Sequence, residues 1–460
     1  MGTEAIVLLP GIIALWIAAR HSLAAALIGV YLPVLLLIPD YFRMPIDNFP
    51  DLGFGQATIL PIGIGVAWMA LFRREWRFSA LDFFLFAFVA WQFISDLYNV
   101  GYQDAQNLLF DVVTLAVFPY MAGKALIEPA GMRAQFARRF VWILFIVCIV
   151  SIYEFRMGGN LFRPFVLPFF PLQESGWFTQ IRLGFVRTAG PYGHAILMSA
   201  LLTIGYLLCR WLANTAQWEK KFEGIGSILP FTKAQILGVG LIGGMIMTLS
   251  RGPWLGAGCG VILAAIGNSA DRRRSLKRAI LILVGGGLLL YTAGTQYIRD
   301  VAPTGVLEEQ ASAAYRAALL EQYNTIAMEH PIMGWGRGNW PEVPGMKSID
   351  NNYLLIALGS GLVGTALFAL ILLVAAWRLF ASGFFIENME RTERSFRFTM
   401  LGVIVATAVS LSAVFLGSQL YPLLFLFLGW SEAVVLVQPA AAEVLAEESA
   451  LSFGVMSVIA

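Results

Sequence analysis

The sequence predicts an all-α fold, a polytopic transmembrane helical bundle, and two observations lead to that prediction. Of the 460 residues, 58% are hydrophobic and only 13% are charged, with a mean hydropathy of +0.73. An ordinary soluble domain carries about 25% charged residues. The apolar residues also fall into runs that suit the roughly 20-residue length of a membrane helix. These features exclude a soluble enzyme, and the net charge of +2 argues against a nucleic-acid partner.

Apolar runs define thirteen candidate spans. They lie near 4–19, 22–39, 56–72, 80–95, 106–123, 140–153, 194–212, 235–250, 253–268, 279–295, 353–380, 398–417 and 420–437. The first two are short and separated only by Arg20 and His21, so twelve spans with one interfacial helix is an alternative. We therefore expect a transmembrane domain of 12–13 spans over residues 1–437. A cytoplasmic C-terminal tail should follow over 438–460.

The basic residues predict the orientation of the bundle. One set of alternate connections holds 21 of the 31 Lys and Arg residues, and the other set holds ten. Because basic loops stay in the cytoplasm, the first set should lie inside, with the N-terminus outside and the C-terminus inside. Nine of the ten outer basic residues are arginine, the side chain suited to bidentate binding of phosphate or carboxylate. The outer face should therefore bind an anion, although arginines that reach lipid headgroups are the alternative.

Two outer segments, 154–193 and 296–352, are long enough to hold structure. The second predicts an amphipathic helix over about 306–328, ended by Pro331 and followed by the glycine-rich loop GWGRG. The residues of one face of this helix recur at helical spacing. This stripe comprises Leu307, Ala311, Ala314, Tyr315, Ala318, Leu319, Gln322, Ile326 and Ala327. The three cysteines lie in apolar runs, and no outer carboxylate pair has metal-ligand spacing. We therefore predict neither a metal site nor a cofactor.

Three polar constellations on the outer side could carry chemistry. Arg251 lies in the turn TLSRGPW between two apolar runs, where a charge at the membrane surface is costly unless it is paired or hydrated. Arg187 and His194 lie in RTAGPYGH, at the entry to another span. The large loop adds a third set, which comprises Arg316, Glu329, His330, Arg337, Asp350, Asn351 and Tyr353.

Each of these residues also has a structural interpretation. Arg251 could anchor to a lipid headgroup, and His194 could be a satisfied polar residue at a helix start. Asp350 could act as a general base or could simply cap the helix that follows, and both roles can coexist. Glu329 and His330 are secondary candidates that could merely end the amphipathic helix.

The order of these motifs resembles the superfamily of O-antigen ligases and of O-antigen and exopolysaccharide polymerases, which are bacterial membrane glycosyltransferases. The resemblance rests on RTAGPYGH, SRGPW, HPIMGWGRGN and NNYLLIALGSGLVG, and it covers roughly residues 185–380. It implies a dozen or so transmembrane helices and an outward cavity that receives an undecaprenyl-pyrophosphate-linked glycan. Arginines matching Arg187 and Arg251 would engage the pyrophosphate. Asp350 stands where the ligases carry a histidine in an HNxYL-like motif, which favours polymerisation over ligation.

The resulting prediction is a metal-independent inner-membrane polymerase that uses lipid-linked repeat units on the periplasmic side. Membrane lipids, chain-length regulators and export proteins are its expected partners. The alternatives are a ligase that transfers glycan to a lipid or protein acceptor, and a flippase or exporter of lipid-linked oligosaccharide. A transporter could use the membrane acids Asp82, Asp111 and Glu432 as a proton relay, but the chain lacks clearly repeated halves.

Overall fold

The computed structural model describes residues 2–47, 49–72, 76–171, 173, 180–218, 221, 230–299, 308–346, 348–417 and 419–436. This part of the chain is predominantly helical, which confirms the predicted all-α bundle. Its main helices are α1 (Thr3–Arg20), α2 (Leu23–Leu37), α3 (Phe54–Phe72), α4 (Ala80–Asn99), α5 (Tyr102–Ile127), α6 (Arg133–Met157), α7 (Ala195–Asn214), α8 (Lys233–Met247), α9 (Arg251–Asn268), α10 (Arg272–Arg299), α11 (Glu308–Glu329), α12 (Asn352–Phe385), α13 (Arg391–Leu411) and α14 (Leu420–Leu436). The tail at 438–460 and part of the large loop, 300–307, lie outside the described residues.

A helix lies at each of the thirteen positions where a span was expected. Eight of them are long and apolar enough to cross a bilayer: α1, α3, α4, α5, α6, α7, α12 and α13. The helices α2, α8 and α14 are apolar but shorter. Among the described residues, α9 and α10 meet neither description, so the count of 12–13 spans stays a prediction.

Close helix packing depends on small residues. A Cβ atom on Gly256 of α9 would lie 2.5 Å from the carbonyl oxygen of Ala406 in α13, and one on Gly402 would lie 2.6 Å from the carbonyl oxygen of Gly260. Glycine therefore lets α9 and α13 approach backbone to backbone, as small residues do in membrane bundles. In the same way, Gly123 of α5 and Gly429 of α14 allow the nearly fully buried α14 to pack against α5.

The acidic residues considered for a proton relay each have a separate basic partner. Asp82 accepts from Lys124 Nζ at 2.5 Å, and Glu432 lies 2.9 Å from Arg378. Asp111 instead pairs with Arg337 at 2.8 Å. Separate ion pairs neutralise charges inside the bundle and explain these acids without a proton pathway.

Two short hairpins, which the sequence did not predict, lie among the connections. The first pairs β1 (Arg43–Ile46) with β2 (Phe49–Gly53), and the second pairs β3 (Ile181–Arg182) with β4 (Phe185–Val186), both antiparallel. Leu183 and Gly184 join β3 to β4 and both have positive φ, as a tight hairpin turn requires.

The amphipathic helix α11 packs against the start of α12, close to where the sequence predicted it. Leu319, Tyr323 and Ala327 are its buried residues within the described range, and they contact Ile349 and Leu358. One predicted member of the stripe was wrong, since Gln322 is exposed and Tyr323 is buried instead. The Tyr323 hydroxyl explains the difference, because it accepts from Val343 N at 3.2 Å and donates to the Met346 carbonyl at 3.3 Å.

The GWGRG loop fills a break in α12. The helix loses its regular geometry at Ser360 and Gly361, and three backbone hydrogen bonds bridge the break. Trp335 N donates to the Leu358 carbonyl (2.7 Å), Gly336 N to the Gly359 carbonyl (3.0 Å), and Leu362 N to the Pro331 carbonyl (2.7 Å). The glycines of this loop therefore serve a close backbone contact.

Replacing Gly361 with alanine should disrupt this junction. Gly361 has φ +70 and ψ −173, a conformation that only glycine adopts without strain, and a Cβ would collide with the carbonyl oxygen of Ile332. We expect Gly361→Ala to destabilise the purified protein by about 2–3 kcal/mol, measured by thermal unfolding in detergent. Gly359→Ala is the matched control, since a Cβ there meets no atom within 4 Å. Equal melting temperatures for the two variants would contradict this account.

Candidate active site

Residues far apart in the sequence line one cavity of about 190 Å³, which we call the arginine cavity. Four of its lining residues are cationic and one is a carboxylate. The full lining comprises Gln180, Arg182, Arg187, His194, Ile196, Ser250, Arg251, Gly252, Tyr315, Arg316 and Asp350. Five of the ten predicted site residues thus come together here: Arg187, Arg251, Arg316, His194 and Asp350.

The β3–β4 hairpin reaches this position by binding the turn between α8 and α9. Arg187 Nε donates to the Thr248 carbonyl (3.1 Å) and its Nη2 donates to Ser250 Oγ (2.9 Å). Arg182 Nη1 donates to the carbonyl of Leu249 at 2.9 Å. The RTAGPYGH and SRGPW motifs are therefore one structural unit, in which loop carbonyls orient two guanidinium groups.

Helix starts add further positive potential to the cavity. The helices α7, α9 and α12 begin at Ala195, Arg251 and Asn352, each within two residues of a side chain that lines the cavity. Unpaired N–H groups and the helix dipole make such ends favourable for anions. Arg251 is the first residue of α9, so its guanidinium group and the N-terminus of the helix both favour an anionic ligand.

The arginines of the cavity repel one another. Burial first, and then the charges of Arg182 and Arg316, lower the pKa of Arg187 to about 10, whereas Asp350 opposes that shift. Arg187 therefore stays charged at neutral pH. An anionic ligand would relieve this repulsion, so the cluster favours a phosphate-type group over a cation or a neutral molecule.

His194 is held as a neutral hydrogen-bonding group. Burial lowers the pKa of its imidazole, and the charges of Arg187 and Arg316 act in the same direction against Asp350. Its Nδ1 accepts from Ile196 N at 3.2 Å, which caps α7 and leaves the proton on Nε2. His194 therefore combines the structural role that was its alternative with a donor at the cavity wall.

Of the two roles considered for Asp350, the helix cap belongs to a different residue in the structure. Asn351, not Asp350, is the N-cap of α12, and its side chain accepts from Leu354 N at 3.2 Å. Asp350 Oδ1 instead accepts from Ser348 Oγ at 2.7 Å. The carboxylate is thus oriented by a neighbouring hydroxyl at the wall of the arginine cavity, in a position suited to a proton acceptor.

Five predicted residues lie elsewhere. Arg337 lines a second cavity, Glu329 is exposed at the end of α11, and His330 contacts the Trp335 ring at a centroid distance of 4.1 Å. Asn351 caps α12, and the Tyr353 hydroxyl donates to the Ala408 carbonyl at 2.8 Å, so both fix the helix start that carries Asp350.

Sequence reasoning missed three contributors to the site. Gln180, Arg182 and Tyr315 line the cavity, and the one available signal was that Arg182 belongs to the ten basic residues assigned to the outer side. Below the site, the buried Glu154 accepts from the backbone N–H groups of Ala189 (3.2 Å) and Gly190 (3.0 Å) and so anchors the RTAGPYGH segment. In the described part of the chain, no cluster of three or more His, Cys, Asp or Glu residues is arranged to hold a metal ion.

The fold and the cavity define a multi-pass helical membrane protein with a cavity lined by four arginines. Residues 236–369, which run from α8 into α12, match the family model described as O-Antigen ligase. This match confirms the resemblance predicted from the motifs and supports a membrane protein that joins glycans, as ligase or polymerase, with a lipid-linked glycan as substrate. A search of curated proteins found no significant match.

Proposed function

We propose that the protein is a glycosyltransferase that polymerises undecaprenyl-pyrophosphate-linked oligosaccharide repeats into surface polysaccharide. The reaction would take place on the periplasmic face of the bacterial inner membrane. The observation that carries the proposal is the convergence of four arginines and Asp350 on one cavity. This arrangement pairs a binding site for a pyrophosphate with a base for a hydroxyl group.

The proposed reaction has two parts, and the cavity offers groups for each. The bond between the anomeric carbon and the pyrophosphate oxygen breaks, and its electron pair stays on the pyrophosphate. Arg187, Arg251 and Arg316 would stabilise that charge, so we propose that the transfer needs no metal ion. A hydroxyl of the acceptor forms the new bond to the anomeric carbon and gives its proton to Asp350.

The ligase alternative is favoured by one observation, the match of residues 236–369 to the O-Antigen ligase model. One residue argues for polymerisation. The ligase motif carries a histidine where this chain has Asp350, whereas Asn351 and Tyr353 match the motif and fix the helix start. We therefore propose the polymerase and retain transfer to a lipid or protein acceptor as the second candidate.

An assay with purified protein distinguishes these activities. The protein in detergent is incubated with lipid-linked repeats extracted from its own bacterium, and the glycans are separated by length. We expect a ladder of repeat multiples. A single transfer to added lipid A core or protein, without a ladder, would support the ligase. If the glycans stay unchanged both with and without an added acceptor, glycosyl transfer is rejected. The flippase hypothesis then remains, since a flippase forms no glycosidic bond. Protein denatured before substrate addition is the control.

A further inference from the structure

A second and larger cavity has no role in the proposed reaction. It has a volume of about 550 Å³ and lies between α4, α5 and α12, next to the GWGRG loop. Its walls include Phe88, Leu115, Phe368 and Trp340. We call it the deep cavity.

Three polar side chains that line the deep cavity carry buried atoms without a hydrogen-bond partner. These atoms are Gln92 Oε1, Asp96 Oδ2 and Asn352 Nδ2. Asp96 is only 3% exposed and Asn352 only 5% exposed. In Asp96 and Asn352 the second polar atom of the side chain does have a partner. Arg337 N donates to Asp96 Oδ1 (2.8 Å), and Leu416 N donates to Asn352 Oδ1 (3.0 Å). Buried unsatisfied groups are costly, so their persistence points to a ligand that supplies hydrogen bonds.

The charges of the deep cavity disfavour an anion as that ligand. Both of its arginines face the same carboxylate, since Asp111 lies 2.8 Å from Arg337 and 3.6 Å from Arg43. With Asp96 the cavity holds two arginines and two acidic residues, in contrast to the cationic excess of the arginine cavity. The unsatisfied set contains both acceptors and a donor, which hydroxyl groups satisfy together. Aromatic walls with carboxamide and carboxylate groups therefore fit a neutral saccharide.

Residues at the start of α12 line both cavities. Asp350 lines the arginine cavity, and Asn352, two residues later, lines the deep cavity. Two residues of extended chain span at most about 7 Å, so a saccharide in the deep cavity could present a hydroxyl at Asp350.

We infer that the deep cavity binds the acceptor saccharide, with Gln92, Asp96 and Asn352 as its hydrogen-bonding groups and Trp340 as its aromatic contact. This inference rests on the proposed function for the chemical step. The acceptor hydroxyl forms the new bond to the donor's anomeric carbon, its proton passes to Asp350, and the pyrophosphate leaves with the electron pair of the broken bond. The donor and the acceptor thus occupy separate, adjacent sites.

The test uses an acceptor that carries no phosphate. The probe is the repeat-unit oligosaccharide released by mild acid from the lipid-linked intermediates of the protein's own bacterium. Its binding to the full-length protein in nanodiscs is measured by calorimetry. We expect Gln92→Leu and Trp340→Leu each to weaken binding about fivefold, near the effect of one lost hydrogen bond or ring contact. The control Gln103→Leu, an exposed residue of α5 away from the cavity, should bind like the wild type, and so should Arg251→Ala.

Several results would overturn the inference. Unchanged affinity in both Gln92→Leu and Trp340→Leu would do so, as would a wild type that does not bind the probe. If Arg251→Ala loses binding, the saccharide binds in the arginine cavity instead. If undecaprenol competes with the probe, the deep cavity binds lipid rather than saccharide. Thermal unfolding verifies that each variant is folded, and two variants are used so that one misfolded protein does not decide the outcome. If the predicted binding pattern holds but no glycan ladder forms, the polymerase proposal fails and the saccharide site stands.

Discussion

Replacing Arg251 with alanine should reduce the rate of glycan transfer by about 100-fold to 1000-fold, the loss seen when one preorganised charge-stabilising group is removed. Arg251 begins α9 and lines the arginine cavity, so its side chain and the helix start would act on the same pyrophosphate. Arg251→Lys keeps the charge but loses the planar bidentate geometry, and we expect an intermediate rate. The measurement is the initial rate of repeat-unit consumption by the purified variants.

A binding measurement separates a lost contact from a damaged fold. Inorganic pyrophosphate should raise the melting temperature of the wild type, because a ligand that binds only the folded state stabilises it. The shift should be much smaller for Arg251→Ala. The matched control is Arg156→Ala, an exposed arginine at the end of α6 outside the cavity, which should keep both the rate and the shift. Wild-type rates in a folded Arg251→Ala protein would remove Arg251 from the site.

Replacing Asp350 with asparagine should reduce the maximal rate by about 100-fold to 10,000-fold, the usual contribution of a positioned general base. Asparagine keeps an oxygen that can accept from Ser348 Oγ, and the cap of α12 depends on Asn351, so the local structure should persist. We therefore expect kcat to fall while the KM for the lipid-linked repeat changes little. Steady-state kinetics on the variant measures both quantities.

A second replacement at this position tests the base by its protonation. Asp350→His should recover part of the activity, and that activity should fall as the pH drops below about 6.5, where an unperturbed imidazole becomes protonated. Asp51→Asn, at an exposed position in β2, is the matched control and should behave as the wild type. If Asp350→Asn keeps more than half of the wild-type kcat, Asp350 is not the base, and its hydrogen bond to Ser348 is only structural.

The helices were predictable because each apolar run carries its own signal. Every candidate span contains a helix in the structure, since a segment of membrane length can satisfy its backbone only internally. The boundaries were less accurate for α6 and α12, which extend beyond their apolar runs to Arg133 and Phe385. The hairpins were missed because two to five strand residues between helices leave almost no periodic pattern.

Of the predicted site residues, some line the arginine cavity and others do not. Arg187, Arg251 and Asp350 were found because each is a polar residue where an apolar span begins, which is unusual in any membrane sequence. Arg337 was predicted from the glycine-rich loop, yet it pairs with Asp111 in the deep cavity instead of lining the arginine cavity. Charge and position in the sequence predict that an arginine needs a partner, but not which partner it finds.

The sequence by itself determined the class of the protein, the order of its helices and a short set of polar residues near the ends of its spans. The tertiary structure decided which of those residues meet. Arg182 and Arg187 reach Arg251 because the β3–β4 hairpin binds the α8–α9 turn, and the GWGRG loop closes a break in α12. The first contact joins arginine side chains to backbone carbonyls, and the second joins backbone groups to each other. Every residue carries a backbone carbonyl, so the sequence does not show which carbonyl or N–H a distant segment will contact.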